Sequence, residues 1–126
     1  MIHLDTSILV DALTGPKRSA AALRAAIEDG ERIVCSTIVL FEWLRGDRVP
    51  SELAAQQALF PRETSVPFGV DEASIAAALY RKVRRARGRE IDLAIAAVAI
   101  AQSASLWTLN VEDFRDIPSL SLYTLS

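Results

Sequence analysis

The sequence predicts an α/β domain in which a parallel sheet is covered by helices on both faces. Short apolar segments typical of strands alternate with helical segments along the chain, and only short connections separate them. The 126 residues contain no repeat, no low-complexity segment and no linker. We therefore expect a single domain spanning residues 1–126, with a core built from one continuous set of elements.

Strand and helix patterns alternate in the first half of the chain. The predicted elements are a strand at 1–4, a helix that follows the turn 5–7 and ends near 15, a helix at 17–29, a strand at 32–35 and a helix at 36–45. Gly30 stops the second helix, Ser36 is a good N-cap for the third, and Gly46 closes it.

The second half continues the alternation with longer helices. The predicted elements are a helix at 50–60, an extended piece at 64–66, a helix at 71–86, a helix at 90–103, a strand at 105–109, a helical turn at 111–114 and a strand at 121–125. Pro50 suits a first helical turn, Asp71 is an expected N-cap, and Gly88 ends the long helix. The sheet should therefore contain four or five strands.

Composition and cysteine content narrow the class of protein. Apolar residues make up 51% of the chain and charged residues 24%, which is ordinary for a globular domain. The longest apolar run, Leu93–Ala101, is too short to span a membrane, and we expect neither a membrane partner nor a secretory leader. Cys35 is the only cysteine, so we expect a buried thiol in a cytoplasmic protein.

Basic residues are concentrated in one segment although the net charge is −2. Six of the fourteen fall within nine positions: Arg81, Lys82, Arg84, Arg85, Arg87 and Arg89. This stripe is compatible with contact to a phosphate backbone, and equally with a solvated helix end favoured by the helix dipole.

Four carboxylates occur where the pattern favours apolar or neutral residues. Asp5 ends the apolar opening of the chain, Glu42 interrupts an apolar helix, Asp92 precedes the longest apolar run, and Asp113 follows a strand-like segment. A carboxylate against an apolar wall is costly unless something pairs with it. The carboxyl ends of parallel strands meet at one edge of a sheet, where these four side chains can converge around a cation.

Each carboxylate also has an ordinary structural explanation. Asp5 can cap the first helix, Glu42 can pair with Arg45, Asp92 can favour a helix N-terminus, and Asp113 can lie at the surface. The apolar surroundings of Glu42 and Asp92 fit these explanations poorly. We therefore favour a shared site for all four.

Oxygen ligands without histidine or cysteine select Mg²⁺ or Mn²⁺ rather than zinc. The only histidine, His3, alternates with Ile2 and Leu4 and is interpreted as a strand residue. A carboxylate-held cation polarises a phosphodiester and activates water. No serine, cysteine or glycine-rich phosphate motif offers another nucleophile or phosphate cradle. The chemistry indicated is phosphodiester hydrolysis by a metal-activated water.

Sequence blocks around the carboxylates identify a family. They are Ile2–Ser7, Ser36–Glu42, Gly88–Ala97 and Thr108–Phe114. In this order and spacing, the chain resembles the PIN-domain ribonucleases over essentially its whole length, and within them the VapC-type toxins of toxin–antitoxin pairs. The resemblance implies a PIN-like fold, a Mg²⁺- or Mn²⁺-dependent endoribonuclease acting on RNA, a homodimer, and a cognate VapB-type antitoxin that blocks the site.

The resemblance also implies residue roles. Asp5 and Asp92 would be the principal metal ligands, and Glu42 would complete the pocket and orient water. Asp113 matches the fourth acid, although some members carry an acid at the position of Asn110. Thr6 and Thr108 would be pocket hydroxyls. The arginines interpreted as RNA contacts are Arg84, Arg85, Arg87 and Arg89.

Other functions make different demands on the sequence. A haloacid-dehalogenase-like phosphatase needs an aspartate two residues after Asp5, where Ser7 stands. A receiver domain needs a lysine after a late strand, whereas the only lysines, Lys17 and Lys82, lie in predicted helices. The alternative from another class is a non-catalytic PIN-like module that acts on nucleic acid through a DNA-binding partner. Cleavage of RNA by partner-free protein discriminates these two readings.

Overall fold

The computed structural model describes residues 1–125 and contains, within them, one sheet of four parallel strands. The strands are β1 (Ile2–Leu4), β2 (Ile33–Val34), β3 (Ser105–Trp107) and β4 (Ser121–Leu122). Their order is β2–β1–β3–β4, with Leu4 opposite Trp107 and His3 opposite Val34. The predicted α/β class is confirmed, and β1 and β3 form the centre of the sheet.

Seven α-helices flank the sheet in the described residues. They are α1 (Thr6–Leu13), α2 (Ala20–Glu28), α3 (Thr37–Arg45), α4 (Pro50–Leu59), α5 (Val70–Lys82), α6 (Glu90–Ala101) and α7 (Val111–Phe114), with a 3-10 turn at Arg62–Thr64. Helix α6 is apolar on all sides and is buried from Leu93 to Ala99 between α5, α3 and β3. Since α6 begins beside the carboxyl edge of the sheet, its first turn faces the ends of β1 and β3.

Two helices begin or end differently from their predictions because of local backbone geometry. Helix α2 begins at Ala20 rather than Lys17, since Gly15 and Lys17 adopt positive φ angles of 56° and 55° and form a turn. Gly69, not Asp71, is the N-cap of α5, and its N–H donates to Glu72 Oε1 at 3.0 Å. Helix α5 ends at Lys82 rather than near 86, and Arg85 beyond it has a φ of 54°.

The remaining differences are mostly shorter strands. The predicted strands at 32–35, 105–109 and 121–125 are each reduced to two or three residues. The predicted extended piece at 64–66 is a 3-10 turn up to Thr64, after which Val66 forms a single bridge with Ser36. Helix α6 ends two residues earlier than its predicted end at 103.

Several local predictions are confirmed. Ser36 caps α3 by accepting the Val39 N–H at 3.3 Å, and Gly46 follows the last residue of that helix. Burial raises the pKa of the Cys35 thiol to about 12, which is consistent with a structural role. His3 is a buried strand residue whose Nε2 donates to Gln102 Oε1 at 2.6 Å, and burial lowers its pKa. Within residues 1–125 no helix has the length and apolar character to cross a membrane.

Candidate active site

The ends of β1 and β3 place Asp5 in the interior of the sheet's carboxyl edge. Its backbone N–H donates to Trp107 O at 2.9 Å, and only 4% of the residue is exposed. Asp5 occupies the N-cap position of α1, yet its carboxylate makes no capping hydrogen bond. The capping role therefore does not account for this side chain.

Two hydroxyl groups hold the Asp5 carboxylate. Ser7 Oγ and Thr108 Oγ1 each donate to Asp5 Oδ2 at 2.7 Å. The same hydroxyls accept the backbone N–H groups of Leu109 and Asn110 at 3.0 and 2.9 Å, so the β3–α7 loop orients them. No lysine or arginine in residues 1–125 forms an ion pair with Asp5. The carboxylate is thus oriented by neutral donors that leave its negative charge uncompensated.

The hydrogen bond from Thr108 to Asp5 is a contact of the kind that its predicted role as a pocket hydroxyl requires. For Ser7 the sequence predicts no such role. A hydroxyl two residues after an aspartate is common at the start of a helix and by itself indicates only local capping. The Ser7 hydroxyl accepts the Leu109 N–H of the β3–α7 loop, and the two residues are about a hundred positions apart in the chain. Only the folded structure reveals this contact.

Glu42 on α3 contacts the start of α1, one residue after Asp5 in the chain. Thr6 Oγ1 donates to its Oε1 at 2.6 Å, so the predicted role of Thr6 as a pocket hydroxyl has a contact to carry it. Arg45 Nη2 donates to Oε2 at 3.1 Å. The structural explanation of Glu42, an ion pair with Arg45, therefore coexists with its place in the site, and both carboxylate oxygens have protein partners.

Asp92 lies in the first turn of α6 and is half-buried. Its pKa is raised from 3.8 to about 6, first by burial and then by the negative charges of Asp5, Asp113 and Glu42, while Arg89 opposes the rise. A helix N-terminus acting alone lowers the pKa of a carboxyl group, so the dipole does not dominate here. Asp5, Asp113 and Glu42 are therefore near enough to Asp92 for their charges to act on it.

A cleft of about 520 Å³ brings three of the four carboxylates together. Asp5, Glu42 and Asp92 line it together with Thr6, Ser7, Leu109 and Asn110 and with further residues of α1 and of the α1–α2 loop. Asp113 is exposed and lines a neighbouring depression instead, together with Arg84, Arg85, Arg89, Glu112 and Asp116. Asn110 thus occupies the cleft itself, whereas Asp113 acts on Asp92 through its charge.

The donor atoms of the cleft fit a hard divalent cation by type. They are carboxylate, hydroxyl and amide oxygens, without a histidine or cysteine ligand. Among residues 1–125, however, no three His, Cys, Asp or Glu side chains are grouped so that they could hold a metal ion. The ligand set of Asp5, Asp92, Glu42 and Asp113 therefore stays a prediction.

Arg89 is the most constrained member of the basic stripe. Its guanidinium donates to Asp116 Oδ1 and Oδ2 at 2.6 and 2.9 Å, to Asp113 O at 2.9 Å and to Arg84 O at 3.2 Å. Hydrogen bonds to a carboxylate and a carbonyl of the α7 region tie the start of α6 to that region. Arg84, Arg85 and Arg87 are exposed, and their contact with RNA stays a prediction.

Comparisons with known proteins agree with the fold and show the family to which the chain belongs. A family model described as PIN domain matches residues 2–120. Ribonuclease VapC19 of Mycobacterium tuberculosis is 41% identical over 119 residues, covering 93% of this chain and 94% of that protein. Ribonuclease VapC of Rickettsia bellii is 36% identical over 132 residues, covering 97% and 94%.

Solved structures share the same fold at lower identity. VapBC2 from Rickettsia felis, bound to a DNA fragment from its promoter, gives a TM-score of 0.72 at 23% identity and covers 100% of both chains. DNA-bound VapBC from Salmonella typhimurium gives a TM-score of 0.76 at 20% identity, covering 97% of this chain and 96% of that one. At these identities the likeness extends to the fold.

Proposed function

Because the chain belongs to the PIN-domain family and to its VapC branch, we propose that it is a Mg²⁺- or Mn²⁺-dependent endoribonuclease and the toxin of a VapBC-type pair. The observation that carries the proposal is the Asp5 carboxylate. It is buried and forms no ion pair with any basic residue that the structure describes. It makes no capping hydrogen bond to α1, and it lines one cleft with Asp92 and Glu42.

Asp5 and Asp92 would be the principal ligands of the cation, with Glu42 bound directly or through water. Asn110 or Asp113 would complete the set. The bound cation would polarise the phosphodiester and lower the pKa of the attacking water. The protein's contribution is to hold oxygen donors at one edge of a rigid sheet and to keep their charges close together.

Side chains of the protein itself orient Asp5 and Glu42 for this role. Ser7 and Thr108 both donate to Asp5 Oδ2, which leaves Oδ1 without a bond from either hydroxyl. Thr6 and Arg45 divide the two oxygens of Glu42 between them. Since both Glu42 oxygens have partners, we assign Glu42 to orienting water, and Asp5 and Asp92 to direct ligation.

The direct test is cleavage of labelled RNA by purified, antitoxin-free protein. We expect cleavage with Mg²⁺ or Mn²⁺, none in EDTA, and recovery when either cation is restored. The Asp29→Asn variant should show the same metal dependence as the wild-type protein, because Asp29 is an exposed aspartate at the end of α2, away from the cleft. Cleavage that continues in EDTA contradicts metal dependence, and the absence of cleavage under all conditions favours the non-catalytic module.

Arg89, which donates to the Asp116 carboxylate and to the Asp113 carbonyl, gives a further prediction for the same reaction. We call this set of hydrogen bonds the Arg89 clamp. Arg89→Ala is expected to lower cleavage by about 10-fold, the loss typical of residues that orient metal ligands, because α7 loses its attachment to the start of α6. The charge of Arg89 lowers the pKa of Asp92, so its removal should raise that pKa further. The acidic limb of the pH–rate profile should then move to higher pH. The measurement is the pH dependence of initial rates.

Arg115→Ala is the matched control for the clamp. Arg115 pairs with Glu112 at 2.6 Å on the exposed surface near α7 and contacts none of the four carboxylates. We expect this variant to keep the wild-type rate and pH profile, because exposed ion pairs contribute about 0–1 kcal/mol. Equal losses in both variants would show that any disturbance around α7 suffices and would remove the special role of Arg89.

We propose a VapB-type antitoxin as the protein partner. A groove of about 390 Å³ runs beside the cleft between α1, α2 and α4, and it mixes apolar side chains such as Leu23 and Leu59 with Lys17 and Arg24. Gly15 lines both the groove and the cleft, so a segment bound in the groove has access to the carboxylates. The DNA-bound VapBC structures, which share the fold of this chain, support a complex of this kind.

The homodimer and the cytoplasmic location belong to the same proposal. Light scattering of the antitoxin-free protein tests the first, with a mass of twice 13.7 kDa expected. The single buried cysteine is consistent with the second.

A further inference from the structure

Among the described residues that line the cleft, Arg18 is the only basic one. The charged residues that share this lining are Asp5, Asp11, Glu42 and Asp92. Arg18 is exposed and forms no ion pair within residues 1–125. We propose, on the basis of the ribonuclease function proposed above, that Arg18 binds a phosphate of the RNA backbone and holds the strand across the carboxylates.

The loop that carries Arg18 is folded back onto α1. Ser19 is buried, and its Oγ donates to Asp11 Oδ2 at 2.6 Å. Thr14 Oγ1 donates to Val10 O at 2.7 Å, and the Lys17 N–H donates to Thr14 O at 3.1 Å. These bonds fix the backbone on both sides of the turn, so Arg18 extends from an ordered position.

The same bonds keep Arg18 available for a ligand. Asp11 on α1 also lines the cleft, and its Oδ2 accepts a hydrogen bond from Ser19 Oγ. Arg18 also forms no hydrogen bond to another described residue, in contrast with Arg45 and Arg89, which are held by Glu42 and Asp116. A guanidinium without an internal partner is suited to bidentate contact with a phosphate.

The charge of the cleft explains why such a contact is needed. Carboxylates repel the phosphates of RNA, and this repulsion must be offset beside the reacting bond for the strand to enter. Three arginines of the basic stripe line a separate depression with Glu112, Asp113 and Asp116; they are Arg84, Arg85 and Arg89. Arg18 lies in the cleft itself, so it is better placed than the stripe to hold the backbone near Asp5 and Asp92.

The test is direct binding of a short, labelled single-stranded RNA, followed by fluorescence anisotropy over a range of salt concentrations. All variants carry Asp92→Asn, which keeps the RNA intact. Arg18→Ala should raise Kd about fivefold and make the dependence of log K on log salt shallower by about 0.7, the contribution of one phosphate contact on a single strand. Arg18→Lys should keep the slope, because it keeps the charge.

Two further variants separate a local contact from general charge. Arg32→Ala removes an exposed arginine that forms no ion pair with any other described residue. Arg32 lies at the opposite, amino-terminal edge of the sheet, so this variant should change neither Kd nor slope. Ser19→Ala keeps Arg18 but frees Asp11 Oδ2 to pair with it, and should weaken binding in the same direction as Arg18→Ala.

The outcomes distinguish this inference from the function on which it rests. Equal Kd and slope for Arg18→Ala and the parent overturn the contact while leaving the ribonuclease proposal in place. Equal losses for Arg32→Ala overturn it as well, since the effect is then one of net charge. If the Asp92→Asn parent binds no RNA at any salt concentration, the contact is overturned, whereas the ribonuclease proposal is decided separately by cleavage with the wild-type protein. A shallower slope confined to Arg18→Ala supports the contact.

Discussion

Asp5→Asn is expected to reduce RNA cleavage by at least about 10³-fold, because even an outer-shell partner of a metal ligand is worth about 10- to 100-fold. The fold should persist. The asparagine carbonyl can still accept the hydroxyls of Ser7 and Thr108, which donate to one oxygen of the native carboxylate. The measurements are initial rates on labelled RNA and a thermal unfolding curve for each protein.

The control for this prediction is Asp29→Asn, which makes the same chemical change at an exposed position at the end of α2. We expect the control to keep the parent's rate and Tm. If Asp5→Asn retains more than about a tenth of the activity, a loss no larger than that of an outer-shell partner, then Asp5 is not a principal ligand. A large fall in Tm with the loss of activity would instead indicate a structural role.

Asp92→Asn is expected to abolish cleavage and, at the same time, to stabilise the metal-free protein. The folded state raises the pKa of Asp92 from 3.8 to about 6. Above pH 6 the group is ionised in both the folded and unfolded states, so the folded state carries the full cost of the buried, repelled charge. Removing that charge should increase the free energy of unfolding.

The pH dependence gives the sign of this effect. As the pH falls through 6 toward 4, the folded protein takes up a proton before the unfolded chain does, so Asp92 destabilises the protein progressively less. The advantage of Asp92→Asn should therefore be largest above pH 7 and fall to a small fraction of that value near pH 4. Since Asp92 is only half-buried, solvent screening reduces the gain to about 1 kcal/mol, or about 4 °C in Tm.

Thermal unfolding in EDTA between pH 4 and 8 checks this prediction, again with Asp29→Asn as the control. Added Mn²⁺ should then raise the Tm of the parent more than that of Asp92→Asn, because a ligand stabilises the state that binds it. A variant that is less stable than the parent above pH 7 contradicts the repulsion among Asp5, Glu42 and Asp92. An equal Mn²⁺ response in both proteins contradicts the role of Asp92 as a ligand.

Local sequence patterns were sufficient for the elements that place the site. The apolar opening before Asp5 and the apolar run after Asp92 predicted β1 and α6, because burial on both sides requires uninterrupted apolar residues. Ser36 predicted the start of α3 and hence the phase of Glu42 along that helix. The cost of a carboxylate in such surroundings was the argument that singled out these acids, and the fold places Asp5, Glu42 and Asp92 in one cleft.

Element ends were less predictable because they depend on single backbone angles. The turn at Gly15 and Lys17 shortened α2, and the positive φ of Arg85 lies beyond an α5 that ends earlier than its pattern indicated. The side chain of Asp71 looked like the cap of α5, but Glu72 binds the Gly69 N–H one turn earlier. The backbone conformation of the segment that leads into a helix therefore determines where the helix begins more strongly than the residue preference at the N-cap position does.

The sequence by itself determined the class of fold and the family, and it singled out the carboxylates of the candidate site, because these follow from local periodicity and from residue chemistry. Only the tertiary structure decided their partners. Ser7 and Thr108 meet at Asp5 across 101 residues, Arg89 is committed to Asp116, and Arg18 lines the cleft while the stripe lies beside it. Contacts between distant segments depend on how strands and helices pack, and a single sequence carries no local pattern for them.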